Sequence, residues 1–392
     1  MNPKLVQIEQ SVTVRIADMA RGIESRGKHV IKLQTGDPDF DTPGIIVEAA
    51  YAAMKAGHTH YVASRGLPDL RKAIADKLSR TNGLNYDPAS EILVTHGGVH
   101  AIFVTINALI KPGDEVLIID PSWMPYASST IIAGGNPVRI ATDQQGGFQL
   151  QIEQIEAHLS ESTRLLILNS PCNPTGQVLT AEELEGIADI VDRHNLYVIA
   201  DEVYEKLIYD DYKHVSFASL PGMRERTVTI NSFSKTYAMT GWRVGYLAAS
   251  RKLVDQILKM SQYSITNVAP FVQKAAIVAL THPEVQAFVD TMRETYDKRR
   301  KRALKELEAI EGIRTVIPQG AFYFMINISR FCRDSTEFAN RFLQKEFVGV
   351  VPGVGFGQCA EGFIRITFAA AEEQIMEGIT RLRHLLQTEY GQ

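Results

Sequence analysis

Leu165-Leu166-Ile167-Leu168-Asn169-Ser170-Pro171-Cys172-Asn173-Pro174-Thr175-Gly176 is the stretch from which the fold is read. Four successive apolar positions leave no polar face. That predicts a strand covered on both sides, as in a parallel sheet. The strand then stops in a loop stiffened by Pro171 and Pro174 and closed by Gly176. The same kind of run recurs on either side. Ile92-Leu93-Val94, Val116-Leu117-Ile118-Ile119, Tyr197-Val198-Ile199-Ala200 and Val228-Thr229-Ile230 are short, apolar and rich in β-branched residues. Helical patterns separate them. Ile102, Ile106 and Leu109 share one face, and Lys111-Pro112-Gly113 stops that helix. Thr180 and Glu183 form a capping box ahead of Leu184, Ile187 and Val191. Strands alternating with helices predict an α/β architecture with crossover connections.

The flanks read differently. Residues 285–310 carry a long charged helix pattern that ends at Glu311-Gly312. Strand-like Ala321–Ile328, a helix near 335–346, strand-like Phe363–Phe368 and a helix from about 371 follow. This is an α+β layout and predicts a second, smaller domain. The N-terminal stretch to about residue 45 holds a helix near 13–26 and a loop with Gly36, Pro38 and Pro43, and is expected to join that domain.

With 392 residues, the prior is about two to three domains. The chain has 41 Lys+Arg against 45 Asp+Glu, a net charge of −4, with no run of like charges. That disfavours a nucleic-acid partner. Cys172, Cys332 and Cys359 are too far apart for a local redox pair or zinc knuckle. A sparse, odd count predicts reduced thiols in a cytoplasm. No secretory leader fits among Lys4, Glu9, Arg15, Asp18, Arg21 and Glu24. No apolar stretch is long enough for a membrane span.

In an open parallel sheet, ligands bind beyond the carboxyl ends of the strands. After Ile92–Val94 come His96-Gly97-Gly98-Val99 and a helix, where backbone N–H groups favour an anion. After Leu168 comes Asn173 in its rigid loop. After Ala200 come Asp201 and Tyr204; a carboxylate there suits a helix N-cap or a cationic heterocycle. After Ile230 come Ser232, Ser234 and Lys235, with Arg243 eight residues on. Two hydroxyls, a guanidinium and an amine can hold a phosphate and present a nucleophile.

That combination resembles the class I and II aminotransferase family, aspartate aminotransferase-like enzymes of fold type I that use pyridoxal 5′-phosphate. The resemblance spans nearly the whole chain. It is carried by Gly36-Asp37-Pro38-Asp39-Phe40, Tyr61 with Gly66 and Leu70-Arg71, Asn173-Pro174-Thr175-Gly176 and Asp201-Glu202-Val203-Tyr204. Ser232-Phe233-Ser234-Lys235, Gly241-Trp242-Arg243-Val244-Gly245, Gly320-Ala321-Phe322-Tyr323 and Val351-Pro352-Gly353 continue it. It implies a mostly parallel seven-stranded sheet between helices, with a smaller α+β domain. Residues 1–45 would form an arm and part of the small domain. Residues 46–285 would form the large cofactor-binding domain, and 286–392 the C-terminal small domain.

The resemblance also implies roles. Lys235 would form the Schiff base and shuttle the substrate proton, for which it must be held neutral. Asp201 would pair with the pyridine nitrogen. Asn173 and Tyr204 would hydrogen-bond the phenolic oxygen, and Trp123 would stack on the ring. Gly97, Gly98 and Val99, with Ser232, Ser234 and Arg243, would cradle the phosphate. Tyr61 would reach the phosphate of a neighbouring subunit, making a homodimer with shared sites. In Phe363–Phe368 a period of two puts Phe363, Arg365 and Thr367 on one face. An arginine there needs a partner: a salt bridge, or, on the family reading, a substrate α-carboxylate held as a bidentate clamp. Gly36 would donate its N–H to the same carboxylate, beside Trp123 and Asn173. No metal is implied.

The implied reaction moves an amino group from an L-amino acid to a 2-oxo acid, ping-pong. The same lysine, aspartate and arginine also serve lyases, cyclases and oxidases. A regulator that keeps the domain as a sensor would need a DNA-binding domain for which the chain has no spare length. Aspartate-preferring members often carry a lysine where this chain has Val99, which weakens an aspartate assignment. His96 and Cys172 lie within family motifs without an assigned role. Val14, Arg15, Ile16, Tyr126, Tyr263 and Asn267 are candidates for contacts with the substrate side chain.

Overall fold

The computed structural model describes Lys4, Val6, Ile8, Gln10 and residues 12–391; the other positions of the expected N-terminal arm lie outside the described residues. Its strands, in chain order, are β1 Ile31–Lys32, β2 Ile92–Thr95, β3 Glu115–Asp120, β4 Asn136–Ala141, β5 Thr163–Asn169, β6 Tyr197–Asp201 and β7 Thr227–Ser232. These are followed by β8 Gly245–Ala248, β9 Arg314–Val316, β10 Tyr323–Asn327, β11 Val348–Gly349, β12 Val351–Pro352 and β13 Phe363–Thr367.

A seven-stranded sheet has the order β2-β8-β7-β6-β5-β3-β4. β8 runs antiparallel to both neighbours, and the other pairings are parallel. All the apolar runs read from sequence lie in this sheet. β7 is buried at every residue, as a strand with helices on both faces must be. Two members escaped the reading. β4 is an edge strand in which only Ile140 is fully buried, so it has no apolar run to show. β8 follows directly on the Gly241–Gly245 motif, and nothing local announces its reversed direction. Among the helices, Ala181–Arg193 begins with the expected capping box. Glu183 N–H donates to Thr180 Oγ1 at 3.2 Å, and Thr180 N–H donates to the Glu183 carboxylate at 2.7 Å.

The C-terminal part builds a four-stranded sheet, β12-β13-β10-β9. Its core includes Phe322, Phe324, Phe338, Phe342, Phe368 and Leu382, with Tyr296 from the 26-residue helix Pro283–Glu308. The N-terminal segment joins it: β1 pairs with β11 through Ile31 and Val348, and helix Val12–Glu24 packs Ile16 and Ala20 beside Leu343 and Val351. Among the described residues, no helix is long and apolar enough to cross a membrane.

Register positions the site. Asn169 pairs with Asp201, and Asp201 with Ile230, so β5, β6 and β7 end together. Beyond that edge the apolar alternation gives way to amides, carboxylates and hydroxyls. β13 faces them and carries Arg365.

Candidate active site

A cavity of about 300 Å³ opens between the strand ends and β13. Gly36, Gly98, Val99, Trp123, Asn173, Asp201, Tyr204, Ser232, Ser234, Lys235, Arg243 and Arg365 all line it. Lys235 sits in the one-turn helix Phe233–Thr236 after β7, and its Nζ donates to the Gly36 carbonyl. Desolvation lowers its pKa to about 8; Arg365 and Arg243 push the same way, against Asp37 and Asp201. Asp201 ends β6 and is 3% exposed. Burial raises its pKa to about 6, while a 2.6 Å hydrogen bond from Tyr126 Oη favours the carboxylate. The two groups are thus brought towards each other on the pH scale, an amine inclined to lose its proton and a carboxyl inclined to keep one.

Arg365 is 3% exposed, and among the described residues it has no ion pair with a carboxylate. Its Nη1 donates to Asn173 Oδ1 at 2.8 Å and its Nη2 to the Gln34 carbonyl at 3.0 Å, while Nε has no protein partner. The guanidinium lies between rings, 4.1 Å from the Tyr323 centroid and 4.9 Å from that of Phe356. A buried cation without an acid is costly, so this arrangement calls for an anionic ligand.

At the opposite end, helix Gly97–Leu109 presents its N-terminus beside Ser232, Ser234 and Arg243. Ser232 Oγ and Ser234 Oγ are 2.9 Å apart. Gly97 has φ +77°, and a Cβ there would stand 2.9 Å from Arg243 Nη2. The positive φ favours glycine, and the missing Cβ leaves the guanidinium room to lie over the turn. Helix N–H groups, two hydroxyls and a guanidinium make a phosphate-sized cradle.

Comparison with known proteins decides the family. The model for aminotransferase class I and II matches residues 28–382. The chain belongs to that family. It is 44% identical over 386 residues to the aspartate aminotransferase of Pyrococcus abyssi, covering 98% of both chains. It is 40% identical over 386 residues to aromatic-amino-acid aminotransferase 2 of Thermococcus litoralis, again covering 98% of both. The Thermus thermophilus aspartate aminotransferase solved with maleate superimposes with a TM-score of 0.94 at 36% identity, covering 98% of this chain and 99% of that one. The aromatic aminotransferase of Pyrococcus horikoshii OT3 gives 0.90 at 45% identity, covering 92% and 96%.

The aminotransferase is therefore a pyridoxal 5′-phosphate enzyme, and its cavity fits that cofactor. The fit rests on the donor set: an amine of lowered pKa, a buried carboxylate, and the cradle that a Cβ at Gly97 would obstruct. Tyr204 and Tyr323 are joined through their hydroxyls at 3.0 Å. Burial raises the pKa of both phenols, so each keeps a proton, and either can donate in this contact.

Of the residues expected at the site, Tyr61 stands apart. It is 87% exposed and does not line the cavity of its own chain. His96 Nε2 lies 3.3 Å from the Asn267 carbonyl, and Cys172 Sγ packs 3.8 Å from that of Pro121; neither lines the cavity. Among the side-chain candidates, Val14 and Tyr126 line it, Arg15 and Tyr263 face solvent, and Ile16 is core. Sequence reasoning missed the partnership of Tyr126 with Asp201. Its signal was position: Tyr126 lies in the turn that follows Trp123, where its N–H donates to the Trp123 carbonyl at 3.2 Å and starts the helix Pro125–Ala133. Tyr323, within the Gly320–Tyr323 motif, also had no assigned role.

Proposed function

We propose that this aminotransferase takes its amino group from an L-amino acid with a neutral, apolar or aromatic side chain and passes it to a 2-oxo acid, ping-pong. The reading rests on one observation: Lys235, Asp201 and Arg365 share a cavity in which the one further charged lining residue, Arg243, lies at the phosphate end. The relatives are named for aspartate and for aromatic amino acids, and differ on the side chain. Here the lining cations are Lys235, Arg243 and Arg365. Thr13, Val14, Val99, Ile102, Trp123 and Thr240 are among the uncharged residues of the wall. Thr13 and Trp123 are shared with a second chamber of about 230 Å³, lined by Met124, Pro125, Ser128, Ser129, Val351, Gly355 and Phe356. That chamber gives room for a ring and offers no charge to a second carboxylate.

Bound pyridoxal phosphate supplies an electron sink for the charge left when Cα loses its proton. In our reading, Gly97, Gly98 and Val99, with Ser232, Ser234 and Arg243, hold the phosphate. Asp201, steadied by Tyr126, holds the pyridine nitrogen protonated; that positive charge in turn favours the carboxylate. Asn173 has its Oδ1 engaged by Arg365 and turns its amide donor, like the Tyr204 hydroxyl, to the phenolic oxygen. Trp123 stacks on the ring. Arg365, with Asn173 and the Gly36 N–H, clamps the α-carboxylate. Lys235 attaches the cofactor through Nζ. With a substrate amine in its place, Nζ would be free to accept the Cα proton and to give it back later in the exchange.

We also infer a homodimer. Val47, Tyr51 and Met54 are exposed on one face of helix Gly44–Lys55, and Tyr61 follows in the next loop. An apolar patch of this kind suits a second copy of the chain, with Tyr61 reaching its phosphate. The pairing of β1 with β11 supports residues 1–45 and 286–392 as one small domain beside a large domain of 46–285. Three free cysteines favour the cytoplasm.

The test is a visible spectrum of the loaded protein after adding single amino acids without an oxo acid. Phenylalanine and tyrosine should remove the cofactor–lysine band and release a stoichiometric oxo acid. A response to aspartate alone would overturn the substrate class.

A further inference from the structure

The residue whose ring flanks Arg365 is anchored by the seven-stranded sheet. Phe356 lies in the turn 353–360 and is 2% exposed. Its carbonyl oxygen accepts two hydrogen bonds from the seven-stranded side, from Ser122 N–H at 2.8 Å and from Arg139 Nη2 at 2.9 Å. Arg139 belongs to edge strand β4. It is held by Asp120, the last residue of β3, through Nε to Oδ2 and through Nη2 to Oδ1 at 2.9 Å. The two hydrogens of Nη2 thus serve one acid and one carbonyl. Ser122 Oγ adds a 2.8 Å bond to the same carboxylate, which is 3% exposed. The carboxylate lies against Gly357, where φ is +136° and a Cβ would stand 2.5 Å from Asp120 Oδ2. A larger residue at 357 would be strained at this φ and would crowd the acid and the guanidinium.

We propose that the Asp120–Arg139 pair is a positioning latch for the substrate clamp: it fixes Phe356, and through Phe356 the plane of the Arg365 guanidinium. The proposal rests on the reading that Arg365 binds the α-carboxylate. An exposed ion pair contributes little. This pair has a buried acid, bidentate geometry and a third contact that crosses from one sheet to the other. A guanidinium walled by two rings keeps its fork in one plane. Without the Phe356 wall it can tilt, and a bidentate contact is lost by a small tilt.

The experiment titrates 3-phenylpropanoate and, separately, maleate into the cofactor-loaded protein and reads the visible band. Both probes carry a carboxylate and no amine, and using two keeps the side-chain reading from deciding the outcome. Arg139→Ala should weaken probe binding about tenfold, the scale of one lost charge-assisted hydrogen bond. KM should rise with kcat little changed, and the affinity for pyridoxal phosphate should stay as in the parent. Arg139→Lys should recover part of the loss. Asp120→Asn should resemble Arg139→Ala, and the double variant should be no worse than either. If Asp120→Asn does not fold, the two Arg139 variants carry the test. Unchanged probe affinity, or a parallel loss of cofactor affinity, overturns the latch. Arg365→Ala separates the two readings. If it leaves the probes bound, the carboxylate reading of Arg365 fails. If it releases them while the Arg139 variants do not, only the latch fails.

Discussion

Tyr126 Oη lies 2.6 Å from Asp201 Oδ2, joining residues 75 positions apart in a buried hydrogen bond. The phenol can only donate here, since burial and the neighbouring carboxylate hold it well above its ordinary pKa. A donor to a carboxylate stabilises the charged form, so removing it raises the carboxyl pKa. In Tyr126→Phe the acid limb of the pH profile of kcat/KM should move to higher pH. The rate at neutral pH should fall about tenfold, the scale of a hydrogen bond to a charged group. An acid limb at its parent position would count against the role of Asp201.

Lys235 should show its depressed pKa in cofactor capture. Only the neutral amine attacks an aldehyde, and its pKa is about 8. The rate at which apoprotein develops the visible band should climb with pH and level off above about 8. Lys235→Ala should lose both the band and the borohydride-trapped adduct. An adduct retained on another lysine would sink the assignment.

Arg365→Ala should bind pyridoxal phosphate normally yet lose substrate. Truncating one member of a buried charged contact costs about 2–5 kcal/mol, so kcat/KM should drop roughly 30-fold to several thousand-fold. Steady-state kinetics beside a cofactor-binding curve would check this. If the cofactor is lost instead, Arg365 is structural.

A stability prediction concerns the polar cluster behind Asp201. Lys77 and Glu205 form a buried ion pair, and Asn82 Nδ2 donates to Glu205 at 2.7 Å. Glu202 beside them accepts from Ser216 Oγ at 2.8 Å and pairs with His214 at 3.0 Å. Burial would raise the Glu205 pKa, but the charges of Lys77 and His214 outweigh it and bring it to about 2. A folded-state pKa below the ordinary 4.5 means the contribution is complete above that pH and is lost as pH falls towards 2. Lys77→Ala leaves a buried carboxylate unpaired and should destabilise by about 3–5 kcal/mol in urea unfolding. Lys77→Met with Glu205→Leu should recover most of that loss. A single variant as stable as the parent would show that water reaches the site.

Much of the site could be read locally. Asp201, Asn173 and Lys235 each follow a continuous apolar run, and the strand end announces the polar residue beyond it. Arg365 declared itself by interrupting the apolar alternation of its strand. The edge strand β4 and the antiparallel β8 were not legible. An edge needs no apolar run, and strand direction is set by the whole sheet rather than by the residues of one strand.

The sequence by itself determined the alternation of covered strands and helices, the chemistry waiting at each strand end, and the family those motifs belong to. These are properties of neighbours in the chain, where side-chain period and turn chemistry act over a few residues. Only the tertiary structure decided that Tyr126 serves Asp201, that Arg365 meets two rings and, among the described residues, no acid, and that Asp120 and Arg139 hold the Phe356 carbonyl from the seven-stranded sheet. Such contacts join residues tens to hundreds of positions apart. They exist because packing the two sheets together brings those side chains within hydrogen-bonding reach, and no local pattern records which of them will meet.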